Sequence, residues 1–226
     1  MDWKKLKIME VSFTTYCNAN CPLCQRTDRT TGKKKDSVPL WHYDIDKFKQ
    51  LCDQLDGTDI NSIHFCGDYG DPMMHPHIED AIDYVVLQKK KLVQVDTNGG
   101  IRDKEWYRKI AQKYEGNLYI NFSIDGFDQA TNNIYRVDVD FEKAKENCTT
   151  FALANPWPGN CNWQMLIFNH NYHQIDDVAE HCEKNGIRFD FKLNKRHWHR
   201  YTVKKPDIIE FVKQKQKQYR HLTDEY

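Results

Sequence analysis

The stretch Ile8-Met-Glu-Val-Ser-Phe13-Thr-Thr-Tyr-Cys17-Asn-Ala-Asn-Cys21-Pro-Leu-Cys24 joins an apolar run to three closely spaced cysteines. The run has the composition of a β-strand, and the cysteines follow it with C-x3-C-x2-C spacing. In α/β folds the loops that follow the strands meet at one edge of the sheet, where active sites lie. The sequence therefore predicts three thiols at the mouth of such a sheet.

Five more strand-like runs follow, and helical segments alternate with them. The six predicted strands are Ile8–Phe13, Ser62–Phe65, Leu92–Val95, Leu118–Ile124, Trp163–Phe168 and Ile187–Leu193. The segments between them carry apolar residues at helical spacing. Predicted boundaries are Asp103 and Asp140 as N-caps, and Glu115-Gly116 and Asn185-Gly186 as helix ends. This order predicts an α/β fold, a partial (β/α)6 barrel with a parallel sheet and a C-terminal helical tail.

The length and charge favour one domain with a tail. The chain has 226 residues, with Lys and Arg equal to Asp and Glu at 33 each. We place the barrel at residues 1–195 and a basic C-terminal tail at residues 196–226. Zero net charge gives no long-range attraction for nucleic acid or an anionic membrane, which disfavours both as partners. Residues 192–226 hold ten basic and four acidic residues, and we favour a solvated helix face over a surface for phosphates or an acidic partner.

Two further features bear on location and substrate. The sequence has no apolar run of about 18 residues for a membrane span, and its first residues do not form a secretory signal. Eight cysteines in such a chain predict a reducing, cytoplasmic location, where clustered thiols bind metals.

An aromatic and histidine group follows the sixth strand, and it either binds substrate or covers that strand: His197, Trp198, His199 and Tyr201.

The cysteine loop admits two interpretations. Three thiolates on one short loop can surround a single iron–sulfur cluster and leave one iron open. A closed zinc site requires four ligands, commonly two separated pairs. No second C-x2-C pair exists here, although His42 or His64 could supply a fourth ligand. The spacing favours the cluster.

C-x3-C-x2-C directly after the first strand is similar to the hallmark of the radical S-adenosylmethionine (SAM) superfamily. The resemblance extends over roughly residues 6–193 through motifs that arrive in the family's order. It implies that Cys17, Cys21 and Cys24 hold a 4Fe–4S cluster whose open iron binds SAM.

Two of these motifs follow the second and third strands. Gly67-Asp-Tyr-Gly70-Asp71-Pro-Met-Met-His-Pro76 resembles the family's G-x-G-E-P-L-x-H-P segment, with Asp71 in place of the usual Glu. The resemblance implies that Gly67, Gly70 and Asp71 hold the amino group of SAM. Thr97-Asn98-Gly99 resembles the family's T-N-G, which implies that Asn98 lines the cavity floor.

The later strands carry a further motif. Ser123-Ile-Asp125-Gly, followed by Arg136, resembles the S-I-D-G…R pattern of the SPASM/Twitch branch. It implies that Ser123 and Asp125 approach the SAM ribose and that Arg136 pairs with the SAM carboxylate. Gln164 on the fifth strand either lies near the adenosine or caps the strand.

The remaining cysteines separate this chain from longer members of that branch. No cysteine follows Cys182, so the resemblance is to a short form without auxiliary-cluster cysteines. Cys52, Cys148 and Cys182 fall on helical segments as small apolar residues, while Cys66 ends a strand and could reach the cavity.

The resemblance implies an enzyme. A flavodoxin- or ferredoxin-like donor would reduce the cluster, and cleavage of SAM would give a 5′-deoxyadenosyl radical that abstracts hydrogen from a substrate, a peptide or protein by this branch. Within the enzyme class the alternatives are a small-molecule enzyme similar to deazapurine synthases and a glycyl-radical activase. The alternative from another class is a non-catalytic zinc-binding interaction module.

Overall fold

The computed structural model describes residues 5–194 and 202–224. Six strands form one sheet in the order β1-β2-β3-β4-β5-β6, and every neighbouring pair is parallel. The strands are β1 (Ile8–Ser12), β2 (Ser62–Cys66), β3 (Leu92–Thr97), β4 (Leu118–Ser123), β5 (Cys161–Ile167) and β6 (Arg188–Leu193). All six predicted strands are present, and the predicted α/β fold with a parallel sheet is confirmed.

Helices fill the crossovers between the strands. They are α1 (Ile45–Asp53), α2 (Ile78–Asp83), α3 (Lys104–Tyr114), α4 (Gln129–Tyr135), α5 (Phe141–Ala154), α6 (Ile175–Asn185), α7 (Pro206–Gln218) and α8 (His221–Asp224). The β4–β5 crossover contains two helices, whereas the pattern predicted only the second. The first, α4, has seven residues and too few apolar positions to show a helical period. No helix in the described ranges is long and apolar enough to cross a membrane.

The helix boundaries follow local chemistry. The Asp103 and Asp140 carboxylates cap α3 and α5 by accepting the N–H groups of Trp106 at 2.9 Å and Lys143 at 3.0 Å. Glu115 ends α3 with φ of 39° and Gly186 ends α6 with φ of 65°. The four predicted boundaries are therefore confirmed.

The two faces of the sheet differ in chemistry. Alternate residues of the strands are apolar and lie buried beneath the helices; Phe65, Trp163 and Phe189 are 0% exposed. The opposite face, here called the polar face, carries Glu10, Ser12, His64, Cys66, Gln94, Asp96, Tyr119, Asn121, Ser123, Asn162, Gln164, Arg188, Asp190 and Lys192. A closed barrel fills its interior with branched apolar side chains, but this face is polar and lies open to ligands.

The C-terminal helix α7 packs on the domain through its apolar stripe. Val212 is 0% and Ile208 is 7% exposed. Lys215 Nζ lies 2.7 Å from Asp176 Oδ1 of α6, and Gln216 Nε2 donates to the Phe191 carbonyl of β6 at 2.9 Å. The stripe therefore covers the sheet edge at β6. The boundary at residue 195 stays a prediction, and His197, Trp198, His199 and Tyr201 lie outside the described residues.

This packing predicts unequal effects for two adjacent substitutions in α7. Val212→Ala should lower the free energy of unfolding by about 1–3 kcal/mol, because it removes buried methyl groups and leaves a void. Lys213→Ala, at the exposed neighbouring position, should stay within about 0.5 kcal/mol of the parent. Urea denaturation measures both, and equal losses would contradict the packing of α7 on the domain through Val212.

Candidate cofactor site

A cavity of about 420 Å³ lies where the first four strands end. Loops that follow β1, β2, β3 and β4 meet there, since parallel strands bring their carboxyl ends to one edge. All three cysteines of the first loop line it. Of the predicted SAM contacts, Gly67, Gly70, Asp71, Asn98, Ser123 and Arg136 also line it, whereas Asp125 and Gln164 do not.

The cysteine loop is shaped by its own backbone and by one arginine. The Cys24 N–H donates to the Cys21 carbonyl at 3.0 Å. Arg26 Nη1 donates to the Cys17 carbonyl at 3.1 Å and to the Ala19 carbonyl at 3.4 Å. Burial raises the pKa of Cys17 to about 12 and also raises that of Cys21. Burial therefore favours the protonated form of these two thiols, and a metal that bound them would have to displace the protons.

Asp71 joins the β2 loop to the β3 turn. Its carboxylate accepts the Asn98 N–H at 2.8 Å, the Met73 N–H at 3.0 Å and the Thr97 hydroxyl at 3.0 Å. Its own N–H donates to the Tyr16 carbonyl of the cysteine loop at 2.8 Å. Burial raises the pKa of this carboxyl to about 6. The side chain is thus a structural brace at the cavity wall.

Gly70 and Asn98 complete the connection to the cysteine loop. A Cβ on Gly70 would stand 2.2 Å from the Thr14 carbonyl oxygen, so only glycine permits this close approach. Asn98 Nδ2 donates to Asn18 Oδ1 at 2.7 Å and lies 3.8 Å from Cys17 Sγ. The loops after β1, β2 and β3 are therefore locked to one another around the cysteines.

Asp125 supports Arg136 from outside the cavity. Both carboxylate oxygens are engaged: Oδ2 accepts Arg136 Nε and Oδ1 accepts the Leu166 N–H, each at 2.6 Å. Burial raises the pKa of this carboxyl, and the guanidinium of Arg136 opposes that rise. Asp125 is 0% exposed, so in this structure it positions Arg136, whose Nη1 lies 3.9 Å from Cys21 Sγ.

Gln164 is the cross-strand partner of Ser123 but does not line the cavity. It lies on the polar face beside β6, with Nε2 3.4 Å from Asp190 Oδ2. Ser123, one strand away, faces the cavity. Alternation along β5 predicts that the Gln164 side chain lies on the polar face. It does not predict whether a residue on that face lines the cavity.

Several cavity residues escaped the sequence analysis. Arg26, Glu10 and Asp96 line the cavity and were not predicted to do so. Cys66 also lines it, as expected. Glu10 and Asp96 could have been found from the period-two alternation of β1 and β3, since each lies opposite a buried apolar neighbour. Arg26 carries no such signal, because a polar loop after a cysteine cluster has no regular side-chain direction.

The donor set fits an anionic iron–sulfur cluster. Three thiols share one cavity wall, and Arg26 Nε is buried beside them without a hydrogen-bond acceptor in the protein. Within the described ranges, no three His, Cys, Asp or Glu groups are placed to hold a single metal ion. The thiolates of a cluster bind separate iron atoms, so they need not converge on one point.

Comparison with known proteins identifies the family. The sequence profile of the radical SAM superfamily matches residues 11–182. The chain belongs to the radical SAM superfamily. Enzymes of this superfamily bind a 4Fe–4S cluster and SAM. No match was found among curated proteins.

Solved structures of other radical SAM proteins share the fold. SuiB of Streptococcus suis, bound to S-adenosylmethionine, aligns with a TM-score of 0.68 at 18% identity, over 94% of this chain and 48% of that one. Native anSMEcpe with bound AdoMet gives 0.66 at 15% identity, over 94% and 59%. Methylornithine synthase (PylB) gives 0.59 at 12%, over 94% and 63%. This chain therefore spans about half to three-fifths of the length of these structures.

His75 anchors the loop that follows Asp71, and it does so as a neutral ring. Its Nδ1 accepts the His77 N–H at 3.0 Å, and its Nε2 donates to the Tyr43 carbonyl at 2.9 Å. The residue is 1% exposed, and burial lowers its pKa to about 4. Protonation would place a second N–H against the His77 donor.

The lowered pKa predicts that acid destabilises this protein through His75. The unfolded state takes up a proton near pH 6.5 and the folded state only near pH 4, so stability present above pH 6.5 is lost as the pH falls. Between pH 7 and pH 5 the parent should lose about 2 kcal/mol more unfolding free energy than His75→Gln. Urea titrations at both pH values measure this difference, and parallel losses would contradict a neutral His75.

The buried ion pair predicts a second stability effect. Asp125→Asn should lower the free energy of unfolding by about 3–5 kcal/mol, because Arg136 would keep its charge without a counter-ion. Asp190→Asn is the matched control: Asp190 Oδ2 lies 3.5 Å from Lys192 Nζ in a half-exposed pair, which is worth at most about 1 kcal/mol. Similar losses in the two variants would rule out the positioning role of Asp125.

Proposed function

We propose that the protein is a radical SAM enzyme in which Cys17, Cys21 and Cys24 bind the 4Fe–4S cluster and leave one iron open for SAM. The observation that carries this proposal is the placement of all three thiols on one cavity within the family-matched residues 11–182. When bound, the cluster and SAM supply a one-electron cleavage to methionine and a 5′-deoxyadenosyl radical, which takes a hydrogen atom from the substrate.

The other cavity residues would orient SAM. Arg136, held by Asp125, presents a guanidinium that suits the SAM carboxylate. The Ser123 hydroxyl faces the same cavity and suits a ribose hydroxyl. Gly67 and Gly70 offer backbone carbonyls to the amino group, and Asn98 forms the floor. Asp71 would act by holding these loops in position relative to one another. Asp125 would act by orienting the Arg136 guanidinium.

The partners and the branch are part of the same proposal. The SPASM/Twitch relationship rests on Ser123-Ile-Asp125-Gly126 and Arg136, and it favours a peptide or protein substrate over a free small molecule. A flavodoxin- or ferredoxin-like protein would deliver the electron. All eight cysteines are free thiols, which supports a reducing, cytoplasmic setting.

Metal analysis after anaerobic reconstitution tests this proposal first. The parent should hold about four iron and four sulfide per chain and should convert SAM to 5′-deoxyadenosine under a strong reductant. Cys17→Ala, Cys21→Ala and Cys24→Ala should each lose the iron absorbance or the SAM cleavage, because each removes one of only three protein ligands. Cys182→Ala is the control, and it should keep both at a packing cost of about 1 kcal/mol.

Two outcomes would overturn the assignment. One zinc per chain, without sulfide, would instead support the non-catalytic zinc-binding module. A Cys24→Ala protein that forms 5′-deoxyadenosine at the parental rate would exclude Cys24 as a ligand.

A further inference from the structure

Arg26 is a buried cation in the wall of the cavity that the cysteines line. The residue is 5% exposed and lines that cavity together with Cys17, Cys21 and Cys24. Arginine is rarely buried unless its charge is paired. The burial of this guanidinium therefore requires partners that replace the water around it.

The guanidinium lies against the loop that carries the thiols. Its Nη1 donates to the carbonyl of Cys17 at 3.1 Å and to the carbonyl of Ala19 at 3.4 Å. The backbone of the same residue is held by the segment that follows, since its carbonyl accepts the Lys35 N–H at 2.8 Å. Both the backbone and the side chain of Arg26 are therefore fixed by contacts within the protein.

Two neutral carbonyls leave this guanidinium incompletely satisfied. Its Nε is buried and has no hydrogen-bond acceptor, although a buried donor without an acceptor is costly. Its charge is also uncompensated, because no carboxylate in the described parts of the chain forms an ion pair with it. The orphaned donor and the unpaired charge both point to an anion that is not part of the chain.

Arg136, which also lines the cavity, differs in this respect. Its Nε lies 2.6 Å from Asp125 Oδ2, so this arginine has its counter-ion within the protein. Its Nη1 lies 3.9 Å from Cys21 Sγ. Arg136 thus adds little net charge beside the thiols, whereas Arg26 adds a full positive charge.

An iron–sulfur cluster on the three thiols is an anion that meets both requirements. A 4Fe–4S cluster held by three thiolates carries one negative charge when oxidised and two when reduced. A fixed cation beside it stabilises the reduced form more than the oxidised form, since the attraction grows with the charge. Net charge and hydrogen bonds to the sulfurs are among the means by which a protein sets the reduction potential of such a cluster.

We infer, on the basis of the proposed function, that Arg26 is the counter-ion of the cluster and that its charge raises the reduction potential of the cluster. The orphaned Nε is the donor that remains available to this anion. In the step that Arg26 favours, a flavodoxin- or ferredoxin-like donor loses one electron and the cluster gains it, and no bond breaks. The SAM carboxylate stays with Arg136.

A redox titration of the reconstituted full-length chain, followed by the electron paramagnetic resonance of the reduced cluster and carried out without SAM, tests this inference. Arg26→Gln should lower the equilibrium constant for reduction about tenfold or more, which for one electron is a shift of about 59 mV to lower potential. Arg26→Lys keeps the charge and should stay close to the parental potential. Arg29→Gln makes the same chemical change at an exposed position and should leave the potential unchanged.

The lysine variant separates the charge of Arg26 from its contacts with the loop. An unaltered potential in Arg26→Gln, or equal shifts in Arg26→Gln and Arg26→Lys, would overturn the inference. Loss of the cluster from both variants would also overturn it, since Arg26 would then act by shaping the loop through the Cys17 and Ala19 carbonyls. If Arg26→Gln alone loses its iron, a parental potential in Arg26→Lys supports the requirement for charge.

SAM binding distinguishes the cluster from the other anion of the site, the SAM carboxylate. The oxidised cluster does not cleave SAM, so calorimetric titration of the oxidised protein measures affinity alone. Arg26→Gln should bind SAM as tightly as the parent does. A weakened affinity together with an unaltered potential would assign Arg26 to the SAM carboxylate and overturn the inference.

The same measurements keep this inference apart from the proposed function. A parent that holds iron and sulfide, with a potential that does not depend on Arg26, would refute this inference alone. A parent that takes up one zinc and no sulfide would refute the proposed function, and the role of Arg26 with it.

Discussion

The carboxylate of Asp71 is the interaction on which the arrangement of the cavity depends. It accepts two backbone N–H groups and one hydroxyl from two different loops, and its own backbone binds a third loop. A buried acceptor is costly unless all its partners are present, so the three loops must take their positions together. The cysteine loop, the turn at Asn98 and the loop that contains Gly70 and Asp71 are consequently held as one unit.

The two faces of the sheet contribute differently to stability and to ligand binding. Its apolar face, covered by helices, contains Phe65, Trp163 and Phe189 at 0% exposure and supplies the hydrophobic stabilisation. Its polar face contributes little to such a core, since carboxylates, amides and an imidazole line it from β1 to β6. Substitutions on the polar face can therefore change ligand preference without removing much buried apolar area.

Local patterns account for what the sequence could predict. Strand and helix periods, the Asp103 and Asp140 caps and the cysteine spacing depend on neighbours within a few residues, and all appear at the expected places. The direction of a carboxylate at a strand end depends on distant partners. Asp125 does not line the cavity, and its carboxylate is held by Arg136 and by the N–H of Leu166, which lies 41 residues further on. Alternation along one strand could not reveal that contact.

The order of the strands bears on how the protein forms. Every strand pairs with the next one along the chain, so the sheet can grow in the direction in which the chain is synthesised. The cysteine loop, Asp71 and the turn at Asn98 all lie within the first 100 residues. The first half of the sheet, β1 to β3, therefore carries the three thiols and the Asp71 brace. The surroundings of the cysteine loop are complete only after α4 has been added, because the Asn20 N–H donates to the Val137 carbonyl at 3.0 Å and Arg136 Nη1 lies 3.9 Å from Cys21 Sγ.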